Sequence, residues 1–368
     1  MPPKAKEEKR PPLVRGWSAK VVLPTQHLEE TDLNVLICNI SKSGLVQIAR
    51  ELTENEDLQR LDLRCHFLVP ADGRILSEGL AINFTLRALD LRCNDLSDEG
   101  IAHIATALQL NGESVLYELN VCSNLIGDAG AQALGSWMQT SSVLKNLRLR
   151  DNHIGSDGAA ALGKGLSSSR SMKTLDLSSN LVGDKGAVFL ADGMIAGSSG
   201  LLYLDLSSNG VEDKGAQRLS EILRRNLPLQ RLVLRVNRIR EPGLRHLCAA
   251  LCKSTKIMEF DITGNVVNED VMDCICQVLA STTSIARFNI GDNFLTQNFG
   301  NAVFRALERN ENLPIVSLDI SHNGIDDMLK QQIDLLIKTN AREVQRRDHE
   351  KHLAKSIKKK RAAAKKGG

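Results

Sequence analysis

Residues 172–194 read MKTLDLSSNLVGDKGAVFLADGM. Leu175 and Leu177 alternate with polar neighbours, as in a half-buried strand, and Asn180 and Val182 follow in L-x-L-x-x-N-x-V spacing. From Gly186 onward an alanine- and leucine-rich run recurs every three or four residues, which predicts a helix. One such strand and helix leaves its apolar faces open, so the unit predicts copies stacked against it.

The chain supplies the copies. The position of Asn180 is filled elsewhere by Cys38, His66, Asn94, Asn124, Asn152, Asn209, Asn237, Asn265, Asn293 and Asn323, at intervals of 28 to 30 residues. Apolar residues stand five and three positions before each marker, from Leu33/Val35 and Leu61/Leu63 to Leu318/Ile320. Stacked strands predict a parallel sheet with ~4.8 Å between neighbours. Helices are wider, roughly 10 Å, so the stack must curve with its strands inside. Each marker amide is expected to satisfy backbone groups of its own buried turn and of the next. Glycine six positions later (Gly44, Gly100, Gly130, Gly158, Gly186, Gly215, Gly243) predicts close packing where each return helix begins. Two regions depart. After His66 the chain carries Pro70 and its glycine moves to position 73, which predicts a slip in helix register; Val271, Phe299 and Leu329 fill the glycine position in the last three layers.

The pattern L-x-x-L-x-L-x-x-N/C-x-L resembles the leucine-rich repeat. The 28-residue length and the wording L-D-L-S-S-N-x-V-x-D-K-G at 175–186 and 204–215 resemble the ribonuclease-inhibitor-like subfamily, over about residues 28–340. The resemblance implies an α/β leucine-rich-repeat solenoid, or horseshoe, with a parallel concave sheet and convex helices. The expected organisation is a disordered basic, proline-rich stretch at 1–12, an N-terminal cap at 13–32 and about eleven repeats over 33–340. A basic helical extension and disordered tail follow at 341–368. The family includes ribonuclease inhibitors, Ran GTPase-activating proteins, tropomodulins, innate-immune sensors and many ciliary and centrosomal proteins. Ribonuclease inhibitors are far richer in cysteine, tropomodulins place actin-binding segments before the repeats, and Ran activators carry an acidic region where this chain is basic.

Composition is that of an ordinary soluble protein, 42% hydrophobic and 25% charged, with only 3% aromatic residues as thin repeated layers require. No run approaches the ~20 apolar residues of a membrane span, and MPPKAKEEKRPP at the start lacks a signal peptide's apolar region. The eight cysteines are therefore expected reduced, as small buried hydrophobes. Cys248-x-x-x-Cys252 and Cys274-x-Cys276 lack zinc-knuckle spacing and a nearby histidine, so no metal is expected. His349 and His352 stand one residue too close for a zincin motif. No Walker loop or G-x-S-x-G is present, and the expectation is a non-enzyme with no cofactor and no small-molecule substrate.

Side chains four and two positions before each marker alternate with the core leucines and must face the open side of the sheet. Asp62, Arg64, Asp90, Arg92, Arg148, Arg150 and Arg235 form a charged strip there and are the candidate partner-binding residues. Charge is uneven along the chain: residues 1–20 carry a net +4 and 341–368 a net +8, which leaves about −9 for the middle of a chain at +3 overall. Lys358, Lys359, Lys360, Arg361, Lys365 and Lys366 are the candidate tether to an acidic surface such as a microtubule. No aromatic residue interleaves those charges, so base-stacking recognition of nucleic acid is not expected. The sequence thus predicts a protein-binding scaffold in the cytoplasm, placed at the cytoskeleton, cilium, flagellum or axoneme with tubulin as a candidate partner. The alternative is a regulator of a small GTPase or a nuclear interaction factor.

Overall fold

A computed structural model of the chain describes residues 32–34, 40–197, 199–310, 314–342 and 346. The strands are β1 (Asp32–Asn34), β2 (Arg60–Asp62), β3 (Ala88–Asp90), β4 (Glu118–Asn120), β5 (Asn146–Arg148), β6 (Thr174–Asp176), β7 (Tyr203–Asp205), β8 (Arg231–Val233), β9 (Glu259–Asp261), β10 (Arg287–Asn289) and β11 (Ser317–Asp319). The helices between them are α1 (Lys42–Glu54), α2 (Pro70–Leu80), α3 (Ser97–Leu110), α4 (Asp128–Thr140), α5 (Ser156–Ser168), α6 (Gly183–Ala196), α7 (Asp213–Arg224), α8 (Glu241–Leu251), α9 (Met272–Ser281) and α10 (Gln297–Arg309). A further helix runs over 327–342. A strand and the helix after it are one layer, numbered by the strand.

The strands form one open parallel sheet in sequence order. Register is uniform: Leu61 lies opposite Leu89, Leu147 opposite Leu175, and Leu232 opposite Phe260. The ladder continues past the third residue, with Leu63 N donating to Asp90 O at 2.8 Å and Cys65 N to Arg92 O at 3.0 Å. A single core runs the length of the stack, since the layers pack against it their apolar strand residues, the apolar residue two positions after each marker and one helix face. Each such leucine contributes about 1.5–3 kcal/mol by leaving water.

The markers act as expected. Asn152 Oδ1 accepts from Asn124 N and Ile126 N in the preceding layer, both at 3.0 Å. Its Nδ2 donates to Val121 O of that layer at 3.1 Å and to Leu149 O of its own at 2.9 Å. The buried turn carries orphan backbone groups that no strand partner reaches, and one amide supplies both a donor and an acceptor. A second series works at the helix ends, where Asn83 Nδ2 donates to Leu52 O, Asn111 Nδ2 to Leu80 O and Asn310 Nδ2 to Leu279 O.

Glycine's role at the helix starts is more specific than close packing. Asp98 Oδ1 on α3 accepts from Gly127 N (2.6 Å) and Gly130 N (2.9 Å) at the start of α4. Asp128 does the same for Gly155 and Gly158, Asp184 for Glu212 and Gly215, and Asp213 for Arg240 and Gly243. One helix thus caps the next, satisfying two of the N–H groups that every helix start leaves open. A Cβ at position 158 would stand 2.6 Å from Asp128 Oδ1, and one at 130 would stand 2.7 Å from Asp98 Oδ1, so the carboxylate fits only against glycine.

In the second layer the expected slip is absorbed. Proline opens α2, Asp72 Oδ2 accepts from Val69 N at 3.0 Å, and Gly73 takes the close-packed place, where a Cβ would meet Gly100 Cα at 2.7 Å. In the last layers Val271, Phe299 and Leu329 are buried, and the helix starts cap themselves through Asn268, Thr296 and Asp326. The expected repeat region, 33–340, begins one residue earlier at Asp32, and helix continues to 342. Residues 1–31, Cys38 and the tail cations Lys358 to Lys366, for which the sequence predicts a mobile stretch and cap, a marker and a tether, lie outside the described residues.

Candidate binding face on the open sheet

Three rows of side chains face away from the helices. The last residue of each strand gives the middle row, with Asp62, Asp90, Arg148, Asp176, Asp205 and Asp261. Two positions on come Arg64, Arg92, Arg150 and Arg235. The sequence reading missed the row given by the first residue of each strand, which holds Asp32, Arg60, Glu118, Tyr203, Arg231, Glu259 and Arg287. The same alternation that places the other two rows also places this one, six positions before the marker.

The early strip is expected to be one partner-binding set; the structure divides it. Asp62 and Asp90 pair chiefly along their own strands. Asp62 Oδ1 accepts from Arg64 N at 3.1 Å while Oδ2 meets Arg64 Nη2 at 2.7 Å, and Asp90 holds Arg92 at 3.1 and 3.0 Å. A short carboxylate at the strand end reaches the N–H two residues on, which a neighbouring strand's arginine cannot outcompete. Sideways pairing runs mainly through the missed row: Arg148 Nη1 to Glu118 Oε1 at 2.6 Å, Arg231 Nε to Glu259 Oε2 at 2.9 Å and Arg287 Nη1 to the same oxygen at 3.4 Å. Arg150 is exposed and joined to no carboxylate among the described residues, and Arg235 stands 4.0 Å from Asp261.

Two shallow depressions result. The first, about 220 Å³, lies over layers one to five between Asp32, Arg60, Asp62, Asp90, Glu118 and Arg148. Burial raises the Asp90 carboxyl above its ordinary value, against the opposing pull of the Arg92 N–H and guanidinium. The second, about 410 Å³, spans layers five to nine between Arg150, Tyr203, Arg231, Arg235 and Glu259 over a floor that includes Ser178 and Ser207. Ser178 and Ser207 donate to Asp176 and Asp205, each at 2.6 Å, and Tyr203 Oη donates to Asp205 Oδ2 at 2.8 Å. Burial and the adjacent carboxylate push the Tyr203 phenol above its usual range. The Arg231 guanidinium lies over the Tyr203 ring at 4.7 Å, a cation–π contact that holds it upright. Carboxylates are recessed here and arginines stand above them: Asp261 is 6% exposed and Arg235 54%.

The residues fit no metal centre: among the described residues no group of three or more His, Cys, Asp or Glu is placed to hold an ion. Not all the cysteines are the buried hydrophobes expected. Cys93 is exposed at φ +56, because the turn demands that conformation whatever residue fills it. Cys248 and Cys274 are buried with their thiols in hydrogen-bond contact, which makes Cys274 the more acidic of the pair, and burial pushes Cys122 and Cys276 up to about 11.

The family pattern described as "Leucine Rich repeat" matches residues 83–105, 140–163, 168–191, 198–220 and 311–327, and the described residues of each stretch lie within the stack. The chain is a leucine-rich-repeat protein. No curated protein matches the sequence. Among solved structures this leucine-rich-repeat chain is similar to one in the complex of Rad7 and Elc1 in yeast, at 15% identity over 80% of each chain with a TM-score of 0.44. It is similar to an internalin of Listeria monocytogenes at 16% identity, covering 82% of this chain and 84% of that one with a TM-score of 0.49. Leiomodin-1 actin-binding site 2 follows at 18% identity over 42% of this chain and 91% of that one, with a TM-score of 0.36. No function follows from likenesses this distant. Among the described residues no helix is long and apolar enough to cross a membrane.

Proposed function

We propose that the chain is a protein-interaction scaffold whose open sheet face grips a partner through arginines held upright over recessed carboxylates. The observation that carries this reading is the second depression. Arg150 is free of carboxylate partners among the described residues, and Arg231 is braced by Tyr203 and Glu259. A guanidinium fixed before binding loses less rotamer freedom on contact and offers planar, bidentate donors to a partner's carboxylates or carbonyls. The partner assembly is cytoskeletal, an axonemal or other microtubule structure, and the basic residues of 341–368 supply a second, electrostatic attachment to its acidic surface.

Co-sedimentation with microtubules tests both parts. The full chain should pellet at low salt and be released as salt rises, and removal of 341–368 should abolish the salt-sensitive part. Arg150→Ala with Arg231→Ala should weaken what remains by roughly tenfold, as central interface arginines do. A full chain that stays in the supernatant at low salt removes the microtubule reading. Arg150, exposed and unneutralised, is also the residue through which the alternative, stimulation of a small GTPase, would act; Arg150→Ala abolishing such stimulation would favour that reading.

A further inference from the structure

The residue after each marker stands on the outer rim of the strand-to-helix turn. From the second layer to the sixth it reads Phe67, Asp95, Leu125, His153, Leu181, and all five are exposed. The three apolar side chains, at alternate layers, are 65%, 51% and 68% exposed. Scattered surface leucines call for no explanation, but a regular row of large ones does. These three add little to the core.

The backbone adds an independent observation. Phe67 and Leu125 hold φ at +55 and +59, in the left-handed region that bulky L-residues seldom adopt. The seventh layer has the same turn with Gly210 in that place at φ +66 and open space where a Cβ would stand. The turn therefore suits glycine, and at Phe67 and Leu125 it instead carries a bulky side chain that is both strained and solvated. Left-handed φ recurs at turn residues throughout the stack, so it is the choice of a bulky, exposed apolar residue where glycine fits that points to a contact made outside the chain.

Electrostatics define that contact. On the helix side of the row, the first turns of α3, α4 and α5 carry Asp98, Glu99, Asp128 and Asp157 and no Lys or Arg, while α6, beside Leu181, opens with Asp184 and Lys185. Asp95 stands within the row itself. Two layers of a parallel sheet span about 9.6 Å, and seven residues of α-helix advance about 10.5 Å. A helix laid along the rim would bring apolar residues at i, i+7 and i+14 onto Phe67, Leu125 and Leu181 in turn, with its flanking lysines or arginines over the acidic helix starts.

We propose that Phe67, Leu125 and Leu181 form a docking row for a basic amphipathic helix of a partner protein. This goes beyond the open-face reading, because it uses different side chains on a different edge of the solenoid. The acidic border disfavours the other apolar-plus-basic surface problem, an anionic membrane, which would be repelled.

The test is fluorescence anisotropy of the full chain with a labelled three-heptad synthetic helix, leucine on one stripe and lysine on both flanks. The native chain should bind it, and Phe67→Asn/Leu125→Asn/Leu181→Asn should lose at least about tenfold in affinity. Asparagine tolerates the left-handed conformation, so the triple variant should melt no lower than the native chain. The same helix with glutamate for lysine should bind at least about tenfold more weakly. Arg150→Ala/Arg231→Ala should bind the helix as the native chain does, which separates this row from the open face. Equal binding by the triple variant would overturn the proposal. So would Phe67-dependent attachment to phosphatidylserine vesicles with no binding of the helix.

Discussion

The middle layers and the last three hold themselves together by different means. From α3 to α8 a carboxylate in one helix closes the start of the next, and glycine makes room for it: Asp98 with Gly130, Asp128 with Gly158, Asp184 with Gly215, Asp213 with Gly243. Beyond α8 the glycine is replaced by buried Val271, Phe299 and Leu329, the helix starts cap themselves, and Phe260 stacks near Phe288 with ring centroids 5.6 Å apart. The one gap in the middle is instructive. Ser156 stands where the others have aspartate, and α6, the helix it would cap, starts without a side-chain cap. A cap supplied by the preceding layer couples two layers directly through the helix backbone; a cap supplied by the helix itself does so only where the capping residue is also held from the layer before, as Thr296 is by Glu269 and Asp326 by Gln297. In a stack where each layer touches only its neighbours, this difference decides how a local fault spreads.

Phe299→Ala should have the largest effect, about 3–5 kcal/mol from lost burial and the cavity left behind. Urea unfolding followed by a probe in layers nine to eleven should shift, while a probe in layer five moves little; equal shifts at both would show that the terminal layers are as tightly coupled as the middle. Gly158→Ala comes next, about 1–3 kcal/mol, because the added methyl meets Asp128 Oδ1 and Ala131 Cβ at 2.6 and 2.9 Å. Combined with Asp128→Ala it should cost less than the two single changes together, since one change removes what the other strikes. Strict additivity would mean that the carboxylate and the glycine are unrelated. Asp128→Ala alone should cost about 1–2 kcal/mol and speed hydrogen exchange at Gly155 and Gly158, one layer away, whereas Thr296→Ala should cost about 1 kcal/mol and affect Asn298 in its own helix.

The smallest effect concerns pH. Burial holds the Asp90 carboxyl above its ordinary value, so its ionised form is penalised by folding. Its contribution is favourable below the unfolded value and is lost as pH rises through the folded one. Asp90→Asn should therefore raise the denaturation midpoint slightly at neutral pH, with the gain shrinking as pH falls towards about 4. A gain that grows on acidification would mean that the Arg92 pairing outweighs burial.

The repeat, the sheet, the core leucines and the marker amides were legible because each is a property of position within a period, and the period is written in the chain. Even the substitutions at Val271, Phe299 and Leu329 were visible as departures. The candidate site was only partly legible. Arg64 and Arg92 were read as one strip with Arg150, yet two are bound to their own strand's aspartates and the third is free of carboxylates among the described residues. The row carrying Tyr203, Arg231 and Glu259 was overlooked because it lies just before the conspicuous leucines, where residue types vary from layer to layer.

What the amino-acid order determined alone is the class of every position: core, turn, helix start or open face. It does so because alternation and helical period are local geometry. What only the tertiary structure decided is which of two reachable partners each charged group takes, and where the backbone turns left-handed under Phe67 and Leu125. Those outcomes depend on ångström-scale distances between individual side chains on one strand and its neighbours, and no repeat of residue types encodes such a distance.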